Sequence, residues 1–196
     1  MHKNGLRNFS MHRNEMPEVS AGLCPTPGVS SLMGADGIAR MDPESVARRY
    51  LANALASDSL PAFNTPQVGA HTVEFKPVGT ETVPLTGTQT VKFRQLYGKV
   101  PVYGSLVTVE LDNRNCLLGM SSAMGEPTGV DPVATLAPAE ALEALRARIG
   151  GEVAPPGPVP DLQFYFDARA GRWRLAYVMQ NVVVLPGVGD GGEARG

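Results

Sequence analysis

From Asp42 onward the apolar positions follow two alternating periods, one near 3.6 residues and one of two. Asp42 suits a helix N-cap and Pro43 the first helical position; Val46, Tyr50, Leu51, Ala54 and Leu55 then fall on one stripe. The spacing predicts a helix from Pro43 to Ser57. Pro61 and Pro66 interrupt the chain, and the β-branched and aromatic run His71–Val78 predicts a strand that ends at Pro77-Val78-Gly79. From Thr88 the period is two, with Val91, Phe93 and Tyr97 on one face and Lys92 and Arg94 on the other. Gln95 interrupts the apolar face, which puts it either at the strand end or in the interior with its amide hydrogen-bonded. A second strand lies within Val102–Leu111, where Val107, Val109 and Leu111 alternate with Thr108 and Glu110. Asp112-Asn113-Arg114-Asn115 is a turn signal, so Cys116–Met120 returns as a third strand of an antiparallel meander.

The segment Met124–Leu136 is rich in Pro and Gly and reads as a boundary between subdomains. Pro138 opens a second helix with Leu142, Leu145 and Ile149 in a stripe, Arg146 and Arg148 near its C-terminal end, and Gly150-Gly151 as its stop. Two aromatic-rich strands follow, Asp161–Asp167 and Arg172–Val184, joined by a turn at Ala168–Gly171. The stretch before Asp42 has no sustained period. The expected fold class is therefore α+β, as two small subdomains, each a helix packed on an antiparallel β-sheet. They span 42–123 and 132–184, between a disordered lead-in over 1–41 and a flexible tail over 185–196.

Composition narrows the function classes. The chain has 196 residues, and 43% hydrophobic residues supply material for a core, so the 22 Gly and 17 Pro announce many turns rather than a low-complexity chain. A net charge of -2 creates no overall field toward nucleic acid or an anionic membrane surface. No stretch approaches the ~18 consecutive apolar residues of a membrane-spanning helix, and the start lacks the apolar segment of a signal peptide. Cys24 and Cys116 can make at most one bridge; with no disulfide framework around them, free and buried thiols are expected.

The histidines exclude more. Only His2, His12 and His71 occur, so no pair stands one helical turn apart as an H-E-x-x-H metal site requires. Nor is there a glycine-rich phosphate loop, a dinucleotide fingerprint or a nucleophile elbow in a strand-turn-helix setting. Glu110 and Asp112 read as a solvent-facing strand edge rather than a catalytic pair. Arg172, Trp173 and Arg174 beside Tyr177 resemble a nucleic-acid stacking surface in composition. Yet Trp173, Leu175 and Tyr177 share one face of a strand and read as a core stripe, with both arginines toward solvent. No catalytic, cofactor-binding or metal-binding residue is assigned.

The run TVKFRQLYGKVPVYGSLVTVELD, Thr90–Asp112, resembles the core of the fungalysin/thermolysin propeptide domain through Phe93, Gln95, Tyr97, Pro101, Val102, Tyr103 and Gly104. The preceding helix PESVARRYLANAL is similar to the one that precedes this motif in such propeptides. The second unit, with its LAPAEALEALRARIG helix and the pair of strands holding Trp173, Leu175 and Tyr177, resembles the PepSY domain that usually follows. The family's usual closing strand is not seen after Val184, and no protease domain follows it in this sequence. The resemblance implies a non-catalytic prosegment, its motif residues structural, that binds a thermolysin-like metalloprotease domain in cis or in trans as chaperone and inhibitor. It implies no cofactor, no nucleic acid and no membrane span, and a secreted or periplasmic location. The start as written would place the chain in the cytoplasm. The alternative function is a stand-alone extracytoplasmic module that binds peptides or proteins without a protease partner.

Overall fold

Asp42 begins the first helix as its residue type predicts. Its carboxylate accepts a hydrogen bond from the Ser45 N–H at 3.0 Å, Pro43 occupies the first turn, and α1 runs Pro43–Ala56. The computed structural model describes residues 5–15, 41–57, 72–149 and 159–184. The expected strand start at His71, and Cys24, lie outside them. Val46, Ala47, Tyr50, Leu51 and Ala54 of α1 are buried against one face of an antiparallel sheet. On the outer side, Arg48 pairs with Glu44 one turn earlier and lays its guanidinium 5.4 Å from the Phe93 ring centre.

Six strands build that sheet: β1 (Leu6–His12), β2 (Val73–Val83), β3 (Thr88–Tyr97), β4 (Val100–Pro101), β5 (Leu106–Leu111) and β6 (Leu117–Gly125). Their order is β1-β6-β5-β3-β2, with the short β4 paired to β3. Val91, Phe93, Val107, Val109 and Leu111 all face α1 and are fully buried, because period-two alternation delivers each to the same side. Burying these side chains with those of α1 is the main stabilising term, at roughly 1.5 to 3 kcal/mol for each large apolar side chain.

The sheet departs from the simple pattern at two bulges. Between Pro77 and Gly79 the ladder to β3 slips, leaving Val78 as the extra residue, and between Glu110 and Leu111 the ladder to β6 slips past Leu118. The second slip explains how Leu117 and Met120, an odd number of positions apart, are both buried on the α1 side while Leu118 is exposed. It also carries β6 beyond the expected end at Met120, as far as Gly125.

β1 overturns the expectation that everything before Asp42 lacks structure. Leu6–His12 pairs antiparallel with β6 over its full length, Leu6 is buried, and Phe9 and Met11 pack against the main core. The segment alternates only over LRNFSMH, too short a window for periodicity to stand out among the surrounding polar residues. A one-turn 3-10 helix, Arg13–Glu15, follows, its Glu15 carboxylate accepting from the His12 N–H at 2.8 Å.

The second helix, α2 (Pro138–Ile149), forms where the sequence places it, and Glu140 caps it by accepting from the Ala137 N–H at 2.7 Å. None of its side chains is buried, so the expected packing of this helix onto a sheet is not seen among the described residues. β7 (Asp161–Asp167) and β8 (Arg172–Val178) make a two-stranded ribbon, in which β8 stops short of the expected end at Val184. Asp167 shapes their turn by accepting from the N–H groups of Arg169 and Ala170. The ribbon's buried apolar residue, Phe164, joins Leu6, Tyr97 and Val102 in a second core at the end of the large sheet.

Candidate functional site

The motif residues meet at the seam between the six-stranded sheet and the β7–β8 ribbon. Tyr97 ends β3, and Gly98 and Lys99 form a tight turn with left-handed backbone at both positions (φ 54 and 69), which returns the chain into β4. Pro101 pairs opposite Leu96. Val102 then leaves the sheet edge, which is why β5 begins at Leu106 rather than at Val102 as expected. Val102 donates its N–H to the Gln95 carbonyl at 3.0 Å and makes a parallel bridge to Phe164 of the ribbon, reinforced by a Tyr103 N–H bond to the Phe164 carbonyl at 2.8 Å. Gly104 has φ 75, a conformation free of Cβ strain only for glycine, and so lets the chain turn back toward β5. Ser105 closes this loop: its hydroxyl donates to the Val102 carbonyl at 2.7 Å and accepts from the Gln95 N–H at 3.2 Å.

Gln95 is the hub. It is 1% exposed, and its side-chain Nε2 donates to the Gly125 carbonyl while its Oε1 accepts from the Gly125 N–H, both at 2.9 Å. Of the two sequence readings, the interior one with a satisfied amide is the one seen. Gly125 must be glycine for a steric reason: a Cβ there would stand 2.5 Å from Cη2 of Trp173 and 2.9 Å from Val102. Trp173 packs edge-on to Phe166 at 5.3 Å between ring centres, and Phe166 in turn lies against Gly5. Tyr97 meets Phe164 edge-to-face at 5.6 Å. Leu175 is half-buried against the same cluster, and the Tyr177 hydroxyl donates to the Leu136 carbonyl at 2.8 Å.

Each named motif residue thus has a location. Phe93 belongs to the main core under α1, while Tyr97, Val102, Trp173 and Leu175 form the seam, Gln95 and Gly104 adjoin it through Gly125 and Leu6, and Pro101 pairs with Leu96 in the sheet. Tyr103 is 46% exposed and meets the similarly open Tyr165 edge-to-face, with 5.8 Å between ring centres. The seam residues that sequence reasoning missed are Leu6, Gly125 and Phe164. Gly125 falls within the Pro- and Gly-rich segment Met124–Leu136, whose composition signals a linker and whose flanking residues carry no period to mark it.

The other candidates separate. Asp112 Oδ1 accepts from the Arg114 and Cys116 N–H groups, each at 2.8 Å, and so builds its turn rather than pairing with Glu110, which is exposed on the outer face. His12 and Glu110 both lie opposite Gly119 in the sheet, beside Thr108 and Ser121, which hydrogen-bond to each other. Among the described residues no group of three or more His, Cys, Asp or Glu side chains is placed to hold a metal ion, and no helix is long and apolar enough to cross a membrane. Cys116 is buried and disulfide-bonded, which corrects the expectation of a free thiol. Reactivity and compartment, not local sequence, decide whether two distant cysteines join.

Residues 73–123 match the family model of the fungalysin/thermolysin propeptide motif. The matched segment starts at the first residue of β2 and ends two residues before Gly125, so it takes in the meander and Gln95. It is a propeptide motif and not a catalytic domain. No curated protein matches the chain.

Proposed function

We propose that this chain is a non-catalytic propeptide-like module that binds a thermolysin-like metalloprotease domain, in cis or in trans, as intramolecular chaperone and inhibitor. The observation that carries the reading is the match of residues 73–123 to the propeptide motif, together with the well-packed sheet this segment forms. A chaperone of this kind works by offering a preformed surface, so that the folding partner bears the ordering cost alone. A sheet braced on one face by α1 and tied at its end through Gln95 is rigid enough to act in that way. The reading of 132–184 as a PepSY-like unit belongs to the same proposal, as does the division into two subdomains.

The disulfide at Cys116 supports a secreted or periplasmic setting, because such bonds persist in oxidising compartments and are rare in the cytosol. Refolding tests the reading directly. A denatured thermolysin-like catalytic domain is diluted into buffer with and without an equimolar amount of this chain, and recovered proteolysis and complex formation are followed. A higher folded yield together with a complex that suppresses proteolysis is the expected result. Unchanged yield and no complex at micromolar concentration would overturn it and leave the stand-alone binding module.

A further inference from the structure

We infer that the outer edge of β8 is a self-association surface, on which a second copy of this chain pairs antiparallel, β8 against β8. This goes beyond the propeptide reading and does not depend on it. Among the described residues, the backbone groups of Arg172–Val178 have no hydrogen-bonding partner apart from their ladder with β7. The apolar face of the ribbon is likewise unfinished at β8. Phe164 on β7 is fully buried, whereas Leu175, its cross-strand partner, is only half-buried, as are Trp173 and Tyr177. Two-stranded ribbons are marginal on their own, and an unpaired edge is a template for another strand.

The comparison with β2, at the edge of the large sheet, sharpens this. β2 carries the protections expected of an exposed edge: Pro77, a bulge at Pro77/Gly79, alternating charges at Glu74 and Lys76, and the Arg48 guanidinium on its Phe75 carbonyl at 3.2 Å. β8 has no proline and no bulge, and its charges are Arg172 and Arg174 alone, the latter paired with Asp167.

The sequence of β8 argues for a second copy as the occupant. In the antiparallel register centred on Leu175, which pairs the whole strand, Arg172 faces Val178 and Arg174 faces Ala176, so no arginine opposes an arginine. Arg174 also keeps its Asp167 partner at 2.8 Å. On the other face Trp173 meets Tyr177 twice and Leu175 meets itself, which extends the apolar stripe across the two-fold axis. The product is a four-stranded β7-β8-β8-β7 sheet with one continuous apolar face.

Sedimentation velocity of the full chain over a wide concentration range provides the test, with Ala176→Lys and Ala176→Glu as paired variants. Each puts a charge at the same place, so any shared damage to folding appears in both, while association separates them. A concentration-dependent dimer is expected, weakened roughly tenfold by Ala176→Lys, which opposes Arg174 twice, and retained or tightened by Ala176→Glu. Hydrogen exchange at the β8 amides should slow as the wild-type concentration rises. A chain that stays monomeric to millimolar concentration overturns the inference, as does a dimer whose β8 amides exchange at the monomer rate. Protection of β8 only on adding a thermolysin-like protease domain would also overturn it and assign the edge to that partner.

Discussion

The side-chain amide of Gln95 is bonded in both directions to the backbone of one residue, Gly125, thirty positions away in the chain. A planar amide pairs with a peptide unit as a neighbouring strand would, so this side chain supplies the hydrogen bonds that the end of β6 lacks where β5 has already ended. Replacing Gln95 by Leu leaves the Gly125 N–H and carbonyl without partners in a dry site. A loss of about 2 to 4 kcal/mol is expected in urea unfolding. A loss below about 0.5 kcal/mol would mean that water replaces the amide at no cost.

Gly125 is expected to tolerate no side chain. Gly125→Ala forces Trp173 or Val102 aside and should cost about 1 to 3 kcal/mol, as overpacking does. Gly79, where a Cβ would meet nothing within 4 Å and the backbone is not left-handed, is the control. Gly79→Ala should leave the thermal midpoint unchanged or raise it slightly. Equal losses at both positions would show that the Trp173 contact is not what constrains Gly125.

Removing β1 should damage the fold. A chain starting at Met41 loses Leu6 from the seam, Phe9 and Met11 from the main core, and the partner of the β6 edge. Within the full chain, Leu6→Ala should cost about 2 to 5 kcal/mol, while Asn8→Ala, on an exposed position of the same strand, should be close to neutral. Equal thermal midpoints for the full and shortened chains would argue that β1 adds nothing.

Acid should destabilise the protein through two carboxylates. Asp42 is held below the ordinary carboxylate range by hydrogen bonds from Ser45, and Asp167 chiefly by the Ala170 N–H, with Arg174 also contributing. A depressed pKa in the folded state means that the unfolded chain binds protons first. The contribution is therefore present above about pH 4 and is lost as pH falls through the folded values. Replacing both residues by Asn should flatten the stability profile below about pH 4. At the other extreme, burial raises the Tyr50 pKa, so stability should fall above about pH 10 and Tyr50→Phe should remove part of that fall.

The purified chain should show no titratable thiol at Cys116 until it is reduced. Cys116 is disulfide-bonded, so its sulfur is not free to react in the folded, unreduced protein. Reduction should lower stability by about 2 to 4 kcal/mol, since the bond restricts the unfolded chain. A reactive Cys116 thiol in unreduced, folded protein would contradict the bond.

The sequence by itself determined the elements whose signals are local. Asp42-Pro43 and the stripe from Val46 to Ala54 define α1, and the alternation of Val91 and Phe93 with Lys92 and Arg94 defines β3 and its buried face. Asp112–Asn115 marks the turn into β6, and Thr90–Asp112 carries the propeptide motif that the family model matches. Each is written within a few residues, because capping, turn formation and side-chain alternation act at that range.

Tertiary structure decided the rest. β1 is too short to announce itself and is a strand because β6 offers it an edge. The Leu118 bulge reverses the parity of β6, so counting by twos fails across it. Whether Gln95 lay inside or at a strand end depended on Gly125, and the need for glycine at Gly125 depended on Trp173, nearly fifty positions further on. The α2 stripe has the helical period, yet Leu142, Leu145 and Ile149 are only partly covered and none is fully buried, since a period records what a helix can bury and not what is there to cover it. These outcomes turn on which distant surfaces meet, and local periodicity carries no information about that.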